Sequence, residues 1–433
     1  MFTKIFSKFN SYINSGLLTI LFMGFASGFP FALTASVMSL RLKESGVSIS
    51  SIGLFTLVAV PYSFKYLWAP LLDGLKLPLL QKLFGRRRSW LCLIQILLMV
   101  VLFLFGAIDP QKNIYLFAIF ALCITFLSAT QDIIIDAYRI ERLTVGLQGV
   151  GATFAAYGWE AGLFLSGVMP LIIAETTSWS VAYYFTASIM IIGILTTLLS
   201  QEPLIEKTSK GNTSRGLITF LTKTFILPFK DLLKIHGIFY ILAFIILFKL
   251  GDAMAGVMTM PFLLDKGFTK IEIIAIVKTF GTAATFTGLF LGGLLAYKVQ
   301  HKYSLLIAGI FQMLSNLLFT YQDHAGHDKI VLMITIIGEN VSSGIGATVF
   351  IAYLSSLCNV RFAATHYALL SSVATLSRNI LSSFSGFVVE YSSWSIFFLI
   401  STVAAIPALM LLPKLTFFKK YRTANTTVQM IKL

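Results

Sequence analysis

Charged residues are scarce in this sequence. Only 12% of its 433 residues are charged, against about a quarter in an ordinary soluble protein, and 57% are hydrophobic. A soluble globule of this length has too little interior to bury so much apolar surface, so the bilayer must act as the solvent for most of the chain. The composition therefore excludes an ordinary soluble protein and predicts a membrane protein.

Cysteine is rarer still. Cys92, Cys123 and Cys358 lie in or beside apolar runs and form no spacing motif, which argues against a disulfide framework or a metal site. The sequence also offers no glycine-rich phosphate loop, nucleotide motif or nucleophile elbow. The His and Asp residues between 323 and 328 are read as a polar outer loop in preference to a metal site. We therefore expect no enzyme activity, no metal and no cofactor.

Twelve apolar stretches of about 20 residues, the length that crosses a bilayer, follow one another along the chain. The longest polar connection, 201–236, separates them into two sets of six. We predict an all-α membrane protein with a bundle at 1–200, an amphipathic cytoplasmic linker at 201–236 and a bundle with a cytoplasmic tail at 237–433. The predicted spans are 16–38, 50–72, 89–107, 113–135, 149–174, 180–200, 237–263, 270–297, 302–320, 329–354, 363–389 and 394–413.

The net charge of +15 predicts the orientation of these spans. With the N-terminus in the cytoplasm, 23 Lys and Arg fall in cytoplasmic segments and six in outer loops. Lys and Arg favour the cytoplasmic side of membrane proteins, so both termini are predicted to be cytoplasmic. Because this charge follows topology, it gives no reason to expect a nucleic-acid partner.

Eight ionisable residues fall inside the predicted spans, where each costs about 2.5–3.5 kcal/mol at a helix centre. They avoid predicted helices 3, 6, 9 and 12, which are the peripheral positions of a transporter built from three-helix repeats. This distribution predicts a polar cavity. The alternative is buried pairs that only fix packing, as Lys249 and Asp252 could form at their spacing of three. The eight residues are Lys65, Asp132, Glu160, Lys249, Asp252, Lys278, Glu339 and Arg378.

Three acids are candidates for proton coupling, because a carboxylate that loses part of its water favours its neutral form. Asp132 and Asp136 share one face of predicted helix 4, and Glu339 is the corresponding acid of predicted helix 10. The sequence leaves open which of them titrates during transport.

Residues 60–73, VPYSFKYLWAPLLD, and the following Gly85-Arg86-Arg87 resemble the signature of the major facilitator superfamily, in the stretched form of its AmpG-type muropeptide permeases. The resemblance implies the major facilitator fold and a cytoplasmic gate in which Asp73 and these residues bridge helix ends. A solvated basic loop is the alternative. Further stretches match the family in order, at 24–30, 128–137, 248–253, 277–281, 357–359 and 364–371.

The resemblance also implies a function. It is that of a monomeric, proton-coupled importer of N-acetylglucosaminyl-anhydromuramyl peptides across the bacterial inner membrane, working by alternating access. Lys65, Lys278 and Arg378 would hold ligand carboxylates. Tyr62, Trp159 and Tyr367 would stack on sugar rings unless they only pack, and Glu160, Lys249 and Asp252 would complete the cavity.

Two positions depart from the family pattern. Glu160 stands in Tyr157-Gly158-Trp159-Glu160-Ala161-Gly162, where the family pattern is Gly-Tyr-Arg-Leu-Gly, and His366 stands where glutamine is expected. Two alternatives therefore stay open. One is a transporter of another anionic metabolite such as acetyl-coenzyme A, and the other is a non-transporting receptor on the same scaffold.

Overall fold

The computed structural model describes residues 15–203 and 222–415. In these ranges the chain is helical with short connections and contains no strand, which confirms the predicted all-α class. Three parts of the prediction lie outside the described residues. They are the first 14 residues of the N-terminal bundle, residues 204–221 of the linker and the basic C-terminal tail from residue 416. The cytoplasmic position of the termini therefore stays a prediction.

Nine helices of the described ranges are long and apolar enough to cross a membrane. Two shorter apolar helices, Gly16–Ala32 and Ser51–Leu67, fall on the first two predicted spans, and Ala363–Ser382 falls on the eleventh. The chain is thus a multi-pass membrane protein, and the count of twelve spans stays a prediction. The nine helices are Arg86–Ala107, Ile114–Arg142, Gln148–Thr176, Trp179–Leu199, Ile238–Asp265, Ile271–Lys298, His301–Ala325, Lys329–Leu357 and Trp394–Lys414.

The first two predicted spans are not continuous α-helices. Ser15–Ala32 passes through a π-helical stretch, Leu33–Val37, into Met38–Glu44. The second span alternates between α and 3-10 geometry. Its pieces are Ile49–Leu54, Phe55–Ala59, Val60–Phe64, Lys65–Leu67 and Ala69–Gly74.

Polar side chains fix where several helices begin. The side chains of Asn113, Ser178 and Ser393 accept hydrogen bonds from the backbone N–H groups of Leu116, Val181 and Ile396. Each of these bonds satisfies a donor that the first helical turn would otherwise leave unpaired. The starts of these three helices are therefore fixed by local sequence.

The described chain divides into two compact units that do not follow chain order. Within the described residues, the first comprises 15–144, 154–203, 222–229 and 358–369, and the second comprises 145–153, 230–357 and 370–415. The boundaries at 200 and 237, which the sequence suggests for the two bundles, stay predictions.

Each unit has its own apolar core. In the first, Phe29, Phe105 and Phe117 are fully buried among aliphatic side chains. In the second, Phe319 and Phe398 stack with ring centroids 4.9 Å apart. These cores hold the helices that carry the polar groups described below.

Glycines bring two helices of the first unit into backbone contact. A Cβ at Gly28 would overlap the carbonyl oxygen of Trp159, and one at Gly162 would overlap the carbonyl oxygen of Phe25. Small residues permit this close approach of membrane helices. The contact fixes the position of Trp159 against the first helix.

Gly28→Ala is therefore expected to lower stability by about 1–3 kcal/mol, because the added methyl group meets backbone that cannot rotate away. The thermal unfolding midpoint in detergent measures this change. Gly53→Ala is the matched control, since nothing lies within 4 Å of a Cβ there. An unchanged midpoint for Gly28→Ala would show that the two helices do not pack this closely.

Candidate functional site

The first unit contains a polar group built around Asp132. The hydroxyl of Ser27 donates a hydrogen bond of 2.6 Å to Asp132 Oδ1. Lys65, only 9% exposed, lies close enough to Asp132 for a favourable electrostatic interaction. The structure thus brings together two of the charges that were selected from the sequence, and Ser27 joins them.

Lys65 is held at a break in its helix. It begins the 3-10 turn Lys65–Leu67 between Val60–Phe64 and Ala69–Gly74. The indole N–H of Trp68, just after this turn, donates to Thr130 Oγ1 at 3.0 Å. Because Thr130 and Asp132 share one helix, this bond fixes the turn against the helix that carries the acid.

An aromatic cluster of Phe31, Tyr62 and Trp159 lies in the same unit. The ring centroid of Phe31 is 5.2 Å from that of Tyr62 and 5.9 Å from that of Trp159. All three side chains are partly exposed. Two of the aromatics for which the sequence left sugar stacking and packing open are thus brought together, and Phe31 joins them.

The second unit contains a polar group built around Asp252. Lys249 Nζ is 3.4 Å from Asp252 Oδ2, so the pair that the spacing allowed is formed. Gln312 Nε2 donates to the same oxygen at 3.0 Å. Glu339 accepts a 2.8 Å hydrogen bond from Asn340 Nδ2 and interacts electrostatically with both Asp252 and Lys249.

Three of the predicted cavity lysines lie where the backbone leaves regular α geometry. Lys65 begins a 3-10 turn, Lys249 separates Ile238–Phe248 from Leu250–Asp265, and Lys278 lies in the π-helical stretch Ile274–Gly281. The side chain of Lys278 is not among those described. Irregular backbone inside a membrane is tolerated where it is buried in protein or lines a water-filled cavity.

Arg87 organises a second charged cluster in the first unit, the predicted gate. Its buried guanidinium is 2.6 Å from Asp73 Oδ1 and 2.5 Å from Glu141 Oε1. Arg86 reaches Glu141 at 2.8 Å. The predicted Asp73 and arginines are thus brought together, and Glu141 is the partner that sequence reasoning missed.

The local backbone conformation and packing explain why glycine occupies the first position of the Gly-Arg-Arg motif. Gly85 has φ +87°, and a Cβ there would overlap the side chain of Glu202. The carboxylate of Glu202 accepts from the backbone N–H of Arg87 at 2.8 Å and of Arg88 at 3.1 Å. An acid therefore caps the start of Arg86–Ala107, as the helix dipole favours.

Asp73 also holds a segment that is distant along the chain. Its Oδ2 accepts from the backbone N–H of Thr365 at 2.9 Å and from the Thr365 hydroxyl at 2.8 Å. Thr365 lies in the first turn of Ala363–Ser382, where N–H groups lack helical partners. Asp73 thus binds Arg87 and a helix start at the same time.

Two predicted residues lie beside this cluster. Asp136 pairs with Arg139 at 3.3 Å, and the Arg139 guanidinium lies 5.3 Å from the ring centroid of Tyr367. Tyr367 is 6% exposed. Its ring is thus placed on Arg139, whereas Tyr62 and Trp159 meet Phe31.

His366 connects the segment after residue 357 to the end of the linker. Its Nδ1 accepts from the backbone N–H of Asn359 at 3.2 Å, and its Nε2 lies 2.9 Å from the carbonyl oxygen of Pro228. Nε2 therefore carries the proton and donates it to Pro228. The side chain of glutamine, the residue expected at this position, also offers one acceptor and a donor N–H. Histidine can therefore make the same two hydrogen bonds as glutamine would.

Two predicted charges stand apart from these clusters. Arg378 is exposed on Ala363–Ser382, and Glu160 is partly buried in Gln148–Thr176. Within the described ranges neither side chain forms a hydrogen bond or an ion pair.

The chain is similar to named transporters over most of its length. A family described as Acetyl-coenzyme A transporter 1 matches residues 16–197. Transporter AmpG 4 of Rickettsia conorii is 35% identical over 412 residues, which cover 95% of this chain and 97% of its own. The anhydromuropeptide permease of Escherichia coli K12 is 35% identical over 399 residues, which cover 91% of this chain and 78% of its own.

Solved structures of transporters share the fold. The proton:xylose symporter XylE of the major facilitator superfamily matches with a TM-score of 0.67 at 15% identity, over 94% of this chain and 96% of its own. FucP, another member, solved in the outward conformation, matches with a TM-score of 0.67 at 14% identity, over 93% and 98%. The major facilitator fold that was expected from the sequence is therefore confirmed.

His366→Gln is expected to retain wild-type thermal stability, because an amide can replace both hydrogen bonds of the imidazole. His366→Leu leaves the Asn359 N–H and the Pro228 carbonyl without this partner and is expected to lower stability by about 1–3 kcal/mol. Thermal unfolding in detergent compares the two variants. Equal midpoints for the glutamine and leucine variants would mean that His366 acts only by filling space.

Proposed function

The chain belongs to the AmpG family of major facilitator transporters, and from this premise we propose that it imports N-acetylglucosaminyl-anhydromuramyl peptides across the bacterial inner membrane, coupled to protons. The observation that carries this proposal is a pair of polar groups inside membrane helices, one per unit, each with a lysine and at least one acid. Such groups suit a cargo with carboxylates and a co-transported proton. The name of the Escherichia coli relative supports the choice of cargo.

We assign the transported proton to Glu339. Asp252 already has a lysine and a glutamine amide as partners, whereas Glu339 has an amide and lies near the same lysine. Two carboxylates that share one lysine are not both stabilised as anions, so one of them readily takes a proton. Asp132 has its own lysine and the Ser27 hydroxyl, which suits an anion.

Lys65 is the proposed anchor for a cargo carboxylate in the first unit. A lysine beside a single acid can bind a cargo carboxylate in addition to that acid, since its ammonium group has three hydrogen-bond donors. Lys278 and Arg378 have the same proposed role, and Tyr62 and Trp159 are proposed to stack on sugar rings. Tyr367 and Asp136 are proposed to support the gate instead, through Arg139.

Opening of the side that is predicted to face the cytoplasm requires Asp73 to release Thr365. The ion pairs of Arg87 keep Asp73 in place, so the hydrogen bonds to Thr365 are the part of the cluster that exchanges. Only two hydrogen bonds join Asp73 to Thr365. Cargo binding can therefore supply enough free energy to shift the balance between the closed and the open state of this side.

Acetyl-coenzyme A is the second candidate cargo. The family described as Acetyl-coenzyme A transporter 1 matches only residues 16–197, whereas the AmpG relatives match nearly the whole chain. The lysines would hold its phosphates as well as they would hold carboxylates.

Proteoliposomes that contain the purified chain are expected to accumulate labelled anhydromuropeptide when the outside is made acidic. Empty liposomes, and proteoliposomes without the pH gradient, are the controls. Accumulation of acetyl-coenzyme A in place of the muropeptide would reject the first candidate. Binding without uptake of either solute would favour a receptor.

Glu339→Gln is expected to abolish accumulation driven by the pH gradient and to retain exchange of labelled for unlabelled cargo, because the neutral amide mimics one protonation state. Uptake and exchange are measured on the same proteoliposomes. Glu390→Gln, at an exposed helix end, is the matched control. If Glu339→Gln still accumulates cargo against a gradient, Glu339 does not carry the proton.

A further inference from the structure

A short helix of the first unit lies between two membrane-spanning elements. Pro78–Phe84 follows Ala69–Gly74, the last piece of the second predicted span, and precedes Arg86–Ala107. None of its residues is buried. Because only residues 75–85 separate the two spanning elements, the connection keeps this helix at the membrane surface. We call Pro78–Phe84 the surface helix.

Both ends of the surface helix are held by other parts of the unit. Ahead of it, the indole N–H of Trp90 donates to the carbonyl oxygen of Leu75 at 3.4 Å. Behind it, Gly85 turns the chain with φ +87° against the side chain of Glu202. The side chains of the helix are thus presented from a fixed backbone.

One face of the surface helix combines apolar and basic side chains. Leu79 is 82% exposed and Leu83 is 74% exposed, and their spacing of four places them on the same face. Lys82, three positions after Leu79, shares that face. Exposed leucines beside lysines are typical of helices that lie in the interfacial region of a bilayer.

Two lysines converge on one cavity at this helix. Lys76, Pro78, Gln81 and Lys82 line a cavity of about 280 Å³. Both lysines are exposed, and within the described ranges neither forms an ion pair or a side-chain hydrogen bond. Residues 74–88 contain no Asp or Glu that could neutralise them. Ammonium groups and an amide N–H are donors that suit an oxyanion.

The arginines at 86–88 are engaged elsewhere. Their guanidinium groups bind Glu141 and the backbone carbonyl oxygen of Thr197, among others. The positive charge available to a ligand at this place therefore comes from Lys76 and Lys82.

We propose that this cavity binds the phosphate headgroup of an anionic phospholipid, with Leu79 and Leu83 in contact with its acyl chains. The site lies on the side that is predicted to face the cytoplasm, where basic segments next to membrane helices attract anionic lipids. Free phosphate would need only the two lysines, whereas a lipid accounts for the exposed leucines as well. The cargo has no part in this site.

Binding of phosphatidylglycerol to the purified full chain in non-ionic detergent, measured by native mass spectrometry, tests the proposal. Lys76→Gln combined with Lys82→Gln is expected to raise the Kd of the first bound lipid by about 10- to 30-fold, since each lysine near a headgroup contributes about fivefold. The thermal midpoint without lipid is expected to stay unchanged, because both side chains are exposed. Lys298→Gln combined with Lys302→Gln is the matched control, which removes the same charge from the same predicted side of the second unit.

The leucines distinguish a lipid from free phosphate. Leu79→Ala combined with Leu83→Ala is expected to raise the Kd for phosphatidylglycerol by about 3- to 10-fold, because less apolar surface is covered. Inorganic phosphate is expected not to displace the lipid. Displacement by inorganic phosphate, together with an unchanged Kd of the leucine variant, would assign the cavity to free phosphate and overturn the lipid site.

Two further results would contradict the proposal. One is an equal rise of the Kd in the lysine variant and in its control, which would mean that the lipid responds only to net charge. The other is an equal Kd of the wild type for phosphatidylglycerol and for zwitterionic phosphatidylcholine. If the double lysine variant does not fold, Lys82→Gln alone is expected to raise the Kd by about 3- to 5-fold, and an unchanged value overturns the site.

Discussion

The cost of placing a charge in hydrocarbon governs the polar architecture of this protein. An ion inside a membrane helix must be paired, hydrogen-bonded or hydrated, since its insertion costs about 2.5–3.5 kcal/mol otherwise. The first unit meets this demand with Lys65, Asp132 and Ser27. The second meets it with Lys249, Asp252 and Gln312. Apolar side chains would serve packing equally well, and this is why we propose a role in transport for these charges.

The same constraint acts on the backbone. A helix break inside a membrane exposes carbonyl and N–H groups that need partners, so breaks are confined to places with water or polar protein. Lys65 and Lys249 lie at such breaks, one in each unit. Charged side chains and irregular backbone therefore occur at the same positions, because both need water or polar protein around them inside a membrane.

Sequence reasoning predicted the membrane class, the family and the charges that cluster, because hydropathy and local spacing are short-range signals. The Lys249–Asp252 pair follows from a spacing of three along one helix. Glu141 and Thr365 could not be found in this way, since they meet Arg87 and Asp73 across 54 and 292 positions of sequence. A signal was present in Glu141 itself, an acid among the basic residues Arg139 and Arg142 at a helix end. For Tyr367 the sequence left both sugar stacking and packing open, and its ring lies on Arg139 because its segment joins the first unit.

The central proposal is that the charged groups inside the membrane helices of each unit are reached by water and act in transport. Cysteine accessibility tests it most directly. After replacement of Cys92, Cys123 and Cys358, single cysteines at positions 65, 160, 249 and 339 are exposed to a membrane-impermeant thiol reagent, with fully buried Leu98 and Leu102 as control positions. The account predicts rapid modification at the four charged positions, slowed by cargo, and none at the two controls. Protection of all four positions, with or without cargo, would show that these charges are packing pairs and would contradict the account.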